Sequence, residues 1–175
     1  MMEARGLRSF LLLALLLLAV RCGGVREYNG TLNVAIVLPL ATRPHAANQV
    51  TYSPWHARAL ASVVFAIEQV NNKSDGHFDH LLPNTTIVYE YYDYYSGNGD
   101  GDLEIARFAA DIKYRAFGGE GADVILGAGS SSKSITLQSI AKYFSLPQVS
   151  GFASSGRLSN DKDFPFFLRT VPTDK

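Results

Sequence analysis

Ala122-Asp123-Val124-Ile125-Leu126-Gly127-Ala128-Gly129-Ser130-Ser131-Ser132-Lys133-Ser134-Ile135 is the stretch on which the fold turns. Its first five residues are a short apolar run of the kind that forms a central parallel strand, buried on both faces. Gly127-Ala128-Gly129 turns the chain. Beyond the serines, Leu137, Ile140, Ala141 and Phe144 recur at helical spacing and predict the buried face of a helix. A strand, a glycine turn and a helix together make half of a βαβ unit.

The same alternation extends in both directions. Upstream, Leu32-Asn33-Val34-Ala35-Ile36-Val37-Leu38, closed by Pro39, reads as the first strand. Ser53-Pro54 opens a helix, because serine caps orphan N–H groups and proline presets the first helical φ. Trp55, Ala59, Val63, Ile67 and Val70 form one stripe on it, and Asn71-Asn72 ends it. A second strand runs from Thr86 to Asp93. Ile105, Phe108, Ala109 and Ile112 mark a second helix, which Gly118-Gly119 stops. Downstream, Pro147-Gln148-Val149-Ser150 and the tail from Phe166 to Val171 read as a fourth and a fifth strand. The expected fold class is therefore α/β, a three-layer doubly wound sheet that is mostly parallel. The last strand meets Lys175 with no closing helix, so the expected lobe is incomplete and the chain a fragment.

The N-terminus predicts export. Arg5 and Arg8 precede an apolar run from Phe10 to Val20, and Cys22, Gly23 and Gly24 give a small-residue exit. That pattern is a signal peptide over residues 1–24; its apolar run is shorter than the roughly 20 residues that cross a bilayer. Cleavage removes the chain's one cysteine, so the remaining domain, 25–175, has no thiol for a disulfide or a thiolate metal site. Of sixteen basic and sixteen acidic residues it removes Arg5, Arg8, Arg21 and Glu3, leaving thirteen against fifteen. Such a balance recruits neither nucleic acid nor an anionic membrane. Asn29, Asn72 and Asn84 each begin an Asn-x-Ser/Thr sequon and are the expected glycosylation acceptors.

The serine turn is the expected site. Ligands of open α/β sheets bind outside the carboxyl ends of the strands, where this turn falls. The helix start supplies backbone N–H groups and a positive dipole end, and Ser130, Ser131 and Ser132 add hydroxyls. That suits a carboxylate or a phosphate, whereas the plain alternative is three serines that only cap a helix. Three enzyme motifs fail here. A Walker-type loop needs glycine where Ser132 stands. The Ser130-to-Lys133 pair lacks the Ser-Asp-Asn and Lys-Thr-Gly companions of penicillin-recognising enzymes. The dinucleotide fingerprint wants a third glycine at Ser132 and a place after the first strand. Asn98-Gly-Asp100-Gly-Asp102 does not complete a calcium loop, since Leu103 and Ala109 stand where glycine and glutamate belong. His45, His56, His77 and His80 are scattered over loops and a helix start, and His77 and His80, without a third ligand, read as solvated loop residues. Tyr94 and Tyr95, beyond the second strand, are placed for a ligand mouth or for packing. Trp55 either stacks on a ligand or plugs its helix onto the sheet.

Eight pieces in order resemble a known family: Phe65-Ala-Ile-Glu-Gln-Val-Asn71, Leu82-Pro83, Tyr92-Asp93, Gly127-Ala-Gly-Ser-Ser-Ser132, Leu146-Pro-Gln-Val-Ser150, Ala153-Ser-Ser155, Leu158-Ser-Asn160 and Phe167-Leu-Arg-Thr-Val-Pro172. The chain resembles the amino-terminal lobe of the receptor ligand-binding region shared by class C G-protein-coupled receptors and natriuretic-peptide-type receptors. Within it the chain is similar to metabotropic glutamate and GABA types, with the stretch from Ser154 to Thr170 leaning to the latter. The resemblance implies a periplasmic-binding-protein type I fold and a carboxylate held by Ser131, with Ser132 beside it, and by Ser154. It also implies that Phe152 offers its backbone. Trp55 does not keep the family's spacing for a ligand-contacting tryptophan, and Tyr94-Tyr95 replace a cysteine that many members carry.

The expectation is a non-enzymatic extracellular lobe of a membrane receptor that needs no cofactor. Its implied partners are a small amino-acid or GABA-like ligand, the second lobe and transmembrane region of the same receptor, and a homo- or heterodimer mate. The alternatives are a solute-binding protein of a transport system and a P-loop-like nucleotide hydrolase using Lys133 and Ser134.

Overall fold

A computed structural model describes residues 30–42, 51–94 and 101–174. The signal segment, Asn29, His45, Tyr95, Asn98 and Asp100 lie outside them. The described residues group into two units, one of 30–32 and 58–88, the other of the remainder.

The elements follow the expected order, with one short antiparallel pair added before the first helix. Strand β1 is Gly30–Leu38, the short β2 (Ala41–Thr42) pairs antiparallel with β3 (Thr51–Tyr52), and helix α1 is Pro54–Asn71. Then come β4 (Thr85–Asp93), α2 (Gly101–Tyr114), β5 (Val124–Gly127), α3 (Ser131–Ala141), β6 (Gln148–Ser150) and β7 (Phe167–Arg169). Short 3₁₀ turns follow α2 and α3, and one more, Gly156–Ser159, lies between β6 and β7.

The sheet order is β4-β1-β5-β6-β7, and the β1–β5, β5–β6 and β6–β7 pairs are parallel. The expected α/β class and parallel sheet stand. In this order the chain winds from β1 to one side and then, through β5, to the other. The connections after β1 and β5 diverge, and ligands of such sheets bind at this switch point. Central burial explains the β1 sequence: seven consecutive residues, Leu32 to Leu38, are buried, so both faces need apolar side chains. Gly127 is required where β5 meets β1. Its φ is +131°, and a Cβ there would lie 2.1 Å from the Val37 carbonyl oxygen.

In the larger unit the core joins Ala35, Val37, Tyr94, Ile105, Ala109, Ile112, Ile125, Leu137 and Ala141. The α2 periodicity holds, with Phe108 half-buried against this cluster. On α3 the buried face differs from expectation. Leu137 and Ala141 are buried, but Ile140 and Phe144 only border the core, and polar Ser134 and Gln138 are buried in line with them. Each has a donor bond, Ser134 Oγ to Ala128 O (3.4 Å) and Gln138 Nε2 to Leu146 O (3.5 Å), while the buried Gln138 Oε1 has no partner among the described residues.

In the smaller unit α1 buries Ala59, Val63, Ala66, Ile67 and Val70. Asn71 brackets Ile87, donating from Nδ2 to its carbonyl and accepting its N–H at Oδ1, both at 2.8 Å. Lys73 Nζ donates to Val70 O and to Leu81 O, closing the end of the helix. Trp55 does not join the predicted stripe, for it is 57% exposed. A helical side chain covers the turn N-terminal to its own Cα. With α1 beginning at Pro54 there is no such turn for the indole to cover. Among the described residues no helix is long and apolar enough to cross a membrane.

Candidate functional site

The site grows from two loops that meet at the switch point. Ser130 stands at the N-cap of α3 in extended conformation (φ −158°, ψ 160°), yet its hydroxyl makes no cap hydrogen bond. A serine held there without capping leaves the helix start to another acceptor. Ser130 and Ser131 are half-buried and Ser132 is exposed; the hydroxyls of Ser130 and Ser132 are 3.4 Å apart. Ser131 Oγ accepts the N–H of Ser155 at 3.1 Å. A hydroxyl that accepts one bond keeps its proton to donate, so Ser131 is joined to the second loop and still equipped for an anion.

That second loop follows β6. Ser150 Oγ donates to Ala128 O (2.9 Å) and accepts the N–H groups of Phe152 and Ala153, both at 3.2 Å. The buried Ser150 therefore pins both loops together. The Phe152 N–H is thereby engaged within the protein. Ser154 Oγ donates to Asp174 Oδ2 at 2.7 Å, so its proton reaches a ligand only if that bond opens. Arg169 holds the loop from the other side, donating from Nη1 to the carbonyls of Ser154 (3.3 Å) and Ser155 (2.8 Å) and from Nη2 to Ser159 and Thr173.

A third group closes on the turn from the first strand's side. Tyr94 is not a mouth residue. It is 2% exposed, packed in the core, and its Oη accepts the Gly129 N–H at 3.0 Å. It immediately follows β4, whose end abuts the core, so the ring turns inward. Burial pushes its phenol up to about 12, with the bonds from Gly129 and Ser130 opposing. His56, on the first turn of α1, is half-buried. Its Nδ1 lies 2.8 Å from Ser53 Oγ and its ring centroid 6.2 Å from that of Phe152. Burial lowers its pKa and the nearby Asp93 charge opposes. The sequence left Tyr94 between a ligand mouth and packing, and it carried no sign of the His56 contacts beyond Ser53-Pro54 fixing where α1 begins.

The residues of the hydrolase alternative are committed elsewhere. Lys133 Nζ pairs with Asp102 Oδ1 at 2.8 Å, and Ser134 is fully buried. Among the described residues no three His, Cys, Asp or Glu side chains group as a metal site, and His77 and His80 are exposed. Of the sequons, Asn72 and Asn84 are exposed. The Asn72 amide already bonds Ser74 and Asp75.

A family model described as the receptor family ligand binding region matches residues 58–175, and the chain belongs to that family. It is 32% identical over 124 residues to mouse taste receptor type 1 member 1, covering 63% of this chain and 13% of that protein. It is 29% identical over 146 residues to the human extracellular calcium-sensing receptor, covering 78% and 13%. To dog taste receptor type 1 member 3 it is 28% identical over 146 residues, covering 77% and 16%. The chain thus spans about an eighth to a sixth of these relatives. They are class C G-protein-coupled receptors, as the resemblance implies. The lean toward glutamate and GABA types finds no specific support among them.

Proposed function

We propose that this chain is part of the extracellular ligand-binding region of a class C receptor and holds a small amino-acid-type ligand by its carboxylate. The observation that carries this reading is the open start of α3. The N-cap serine does not cap, and Ser131 keeps a donor proton in a turn at the sheet's switch point. The N–H groups and dipole of the helix start add attraction for an anion, and each hydroxyl bond to a charged oxygen is worth about 1.5–3 kcal/mol. Ser132 is the exposed neighbour that completes the turn, and Trp55 and Phe152 serve as apolar contacts for the ligand. Ser154 joins once it exchanges Asp174 for the ligand. Clasping by a second lobe, dimerisation, a signal peptide over 1–24 and glycans on Asn29, Asn72 and Asn84 belong to the same reading, as does the absence of catalysis.

Calorimetric titration of the full chain with amino-acid ligands tests it. Ser131→Ala is expected to weaken carboxylate binding by roughly ten- to a hundredfold, the equivalent of one charged hydrogen bond. Unchanged affinity in that variant refutes the site.

A further inference from the structure

Gly129 is the point on which three side chains converge. A Cβ there would lie 2.9 Å from Pro39 Cδ, 3.2 Å from Tyr94 Oη and 3.4 Å from His56 Nε2. The imidazole therefore meets the serine turn with one edge. Its Nδ1 is occupied by Ser53, 2.8 Å away, and its Nε2 is the nitrogen presented to the turn. The ring is half-buried, and Phe152 stands beside it.

We propose that His56 is a specificity-determining ligand contact of this site, whose Nε2–H donates to a bound carboxylate and makes its binding tighten as the imidazole takes up a proton. The proposal rests on the carboxylate reading above. It does not come from the family match, which begins at residue 58.

The groups facing the imidazole decide the direction of the effect. Its own helix contributes Ser53 and the positive end of a dipole, which disfavours a cation. From β4 and its end come Asp93 and Tyr94. Asp93 is partly engaged, its Oδ1 accepting Leu40 N–H at 2.8 Å, and Tyr94 is a neutral phenol in the physiological range. Neither Gly129 and Ser130 on the serine turn nor Phe152 on the loop after β6 carries a charge. Asp93 is thus the one charge among these groups, and burial outweighs it, so the empty site keeps the imidazole neutral near pH 7. A carboxylate beside Nε2 adds a second negative charge and raises the bound-state pKa. Affinity then increases as pH falls through that bound-state value and levels off below the free value. Each unit of difference corresponds to up to about tenfold in affinity. In the charged form both nitrogens donate, Nδ1–H to Ser53 and Nε2–H to the ligand.

L-glutamate is a suitable probe because its own charges change little between pH 5.5 and 7.5. The full chain, His56→Gln and Ser131→Ala are titrated with it by calorimetry at both values, with melting curves as a check on folding. The expected result is several-fold tighter binding at the lower pH in the wild type and a flat response in His56→Gln. Glutamine keeps a donor but does not titrate; His56→Asn serves if the first variant melts early. Ser131-dependent binding with the same pH response in wild type and His56→Gln overturns the His56 assignment alone. Binding that is absent, or indifferent to Ser131→Ala, overturns the carboxylate reading and this inference with it.

Discussion

The Tyr94 hydroxyl holds the serine turn in place, and deleting it isolates that contribution. Tyr94→Phe keeps the ring in its 2%-exposed slot among Ala35, Val37, Ile105 and Leu137. The 3.0 Å bond from the Gly129 N–H is lost, together with the contact to the Ser130 hydroxyl. A neutral hydrogen bond contributes about 1 kcal/mol, and an orphaned, fully buried N–H costs about 1–3 kcal/mol. Gly129 is half-buried, so water relieves part of that penalty. The expected loss is about 1–2 kcal/mol. In a chain of this size that lowers the Tm by about 2–8 °C. Urea unfolding followed by far-ultraviolet circular dichroism should show a lower midpoint with an unchanged slope, the sign of lost stability without altered compactness. Tyr94→Ala separates the two roles, since removing the buried ring as well costs about 3–5 kcal/mol. A Phe variant that melts within a degree of wild type refutes the anchoring role.

Two further outcomes follow from the same geometry. Gly127→Ala places a methyl 2.1 Å from the Val37 carbonyl at a φ of +131°; backbone strain and overpacking together cost about 2–6 kcal/mol, and a soluble variant with wild-type Tm contradicts the β1–β5 register. Lys133→Ala removes the partner whose hydrogen bond chiefly holds the Asp102 carboxyl below its ordinary pKa. Because the folded-state value is the depressed one, the stabilisation is complete above the ordinary carboxylate pKa and fades as pH falls through the lower, folded one. The Asp102 side chain is 64% exposed, so the energy is under about 1 kcal/mol. Carbon-detected titration of Asp102 should move upward in the variant, and an unmoved curve shows that the pair is not formed in solution.

The parts of the fold legible in the sequence were those set by short-range periodicity. Leu32 to Leu38 read as a strand because burial on both faces leaves no alternation. Ile105, Ala109 and Ile112 read as a helix face because 3.6-residue spacing places them together. Ser53-Pro54 gave the start of α1, and the glycine-serine stretch marked the turn after β5. What failed depended on what lay beyond an element's end. Trp55 kept its spacing to Ala59 but had no preceding turn to cover, and Ser134 and Gln138 are buried because carbonyls elsewhere in the chain accept their protons.

The site divides in the same way. The sequence by itself determined that a serine-rich helix start would sit at a strand's carboxyl end, because a glycine turn between apolar runs allows little else. Only the tertiary structure decided that Ser131 joins Ser155, that Ser154 is held by Asp174, and that Tyr94 and His56 close on Gly129. These contacts link residues 20 to 73 positions apart. No local pattern encodes them; the sheet order and the loops diverging at its switch point bring them together.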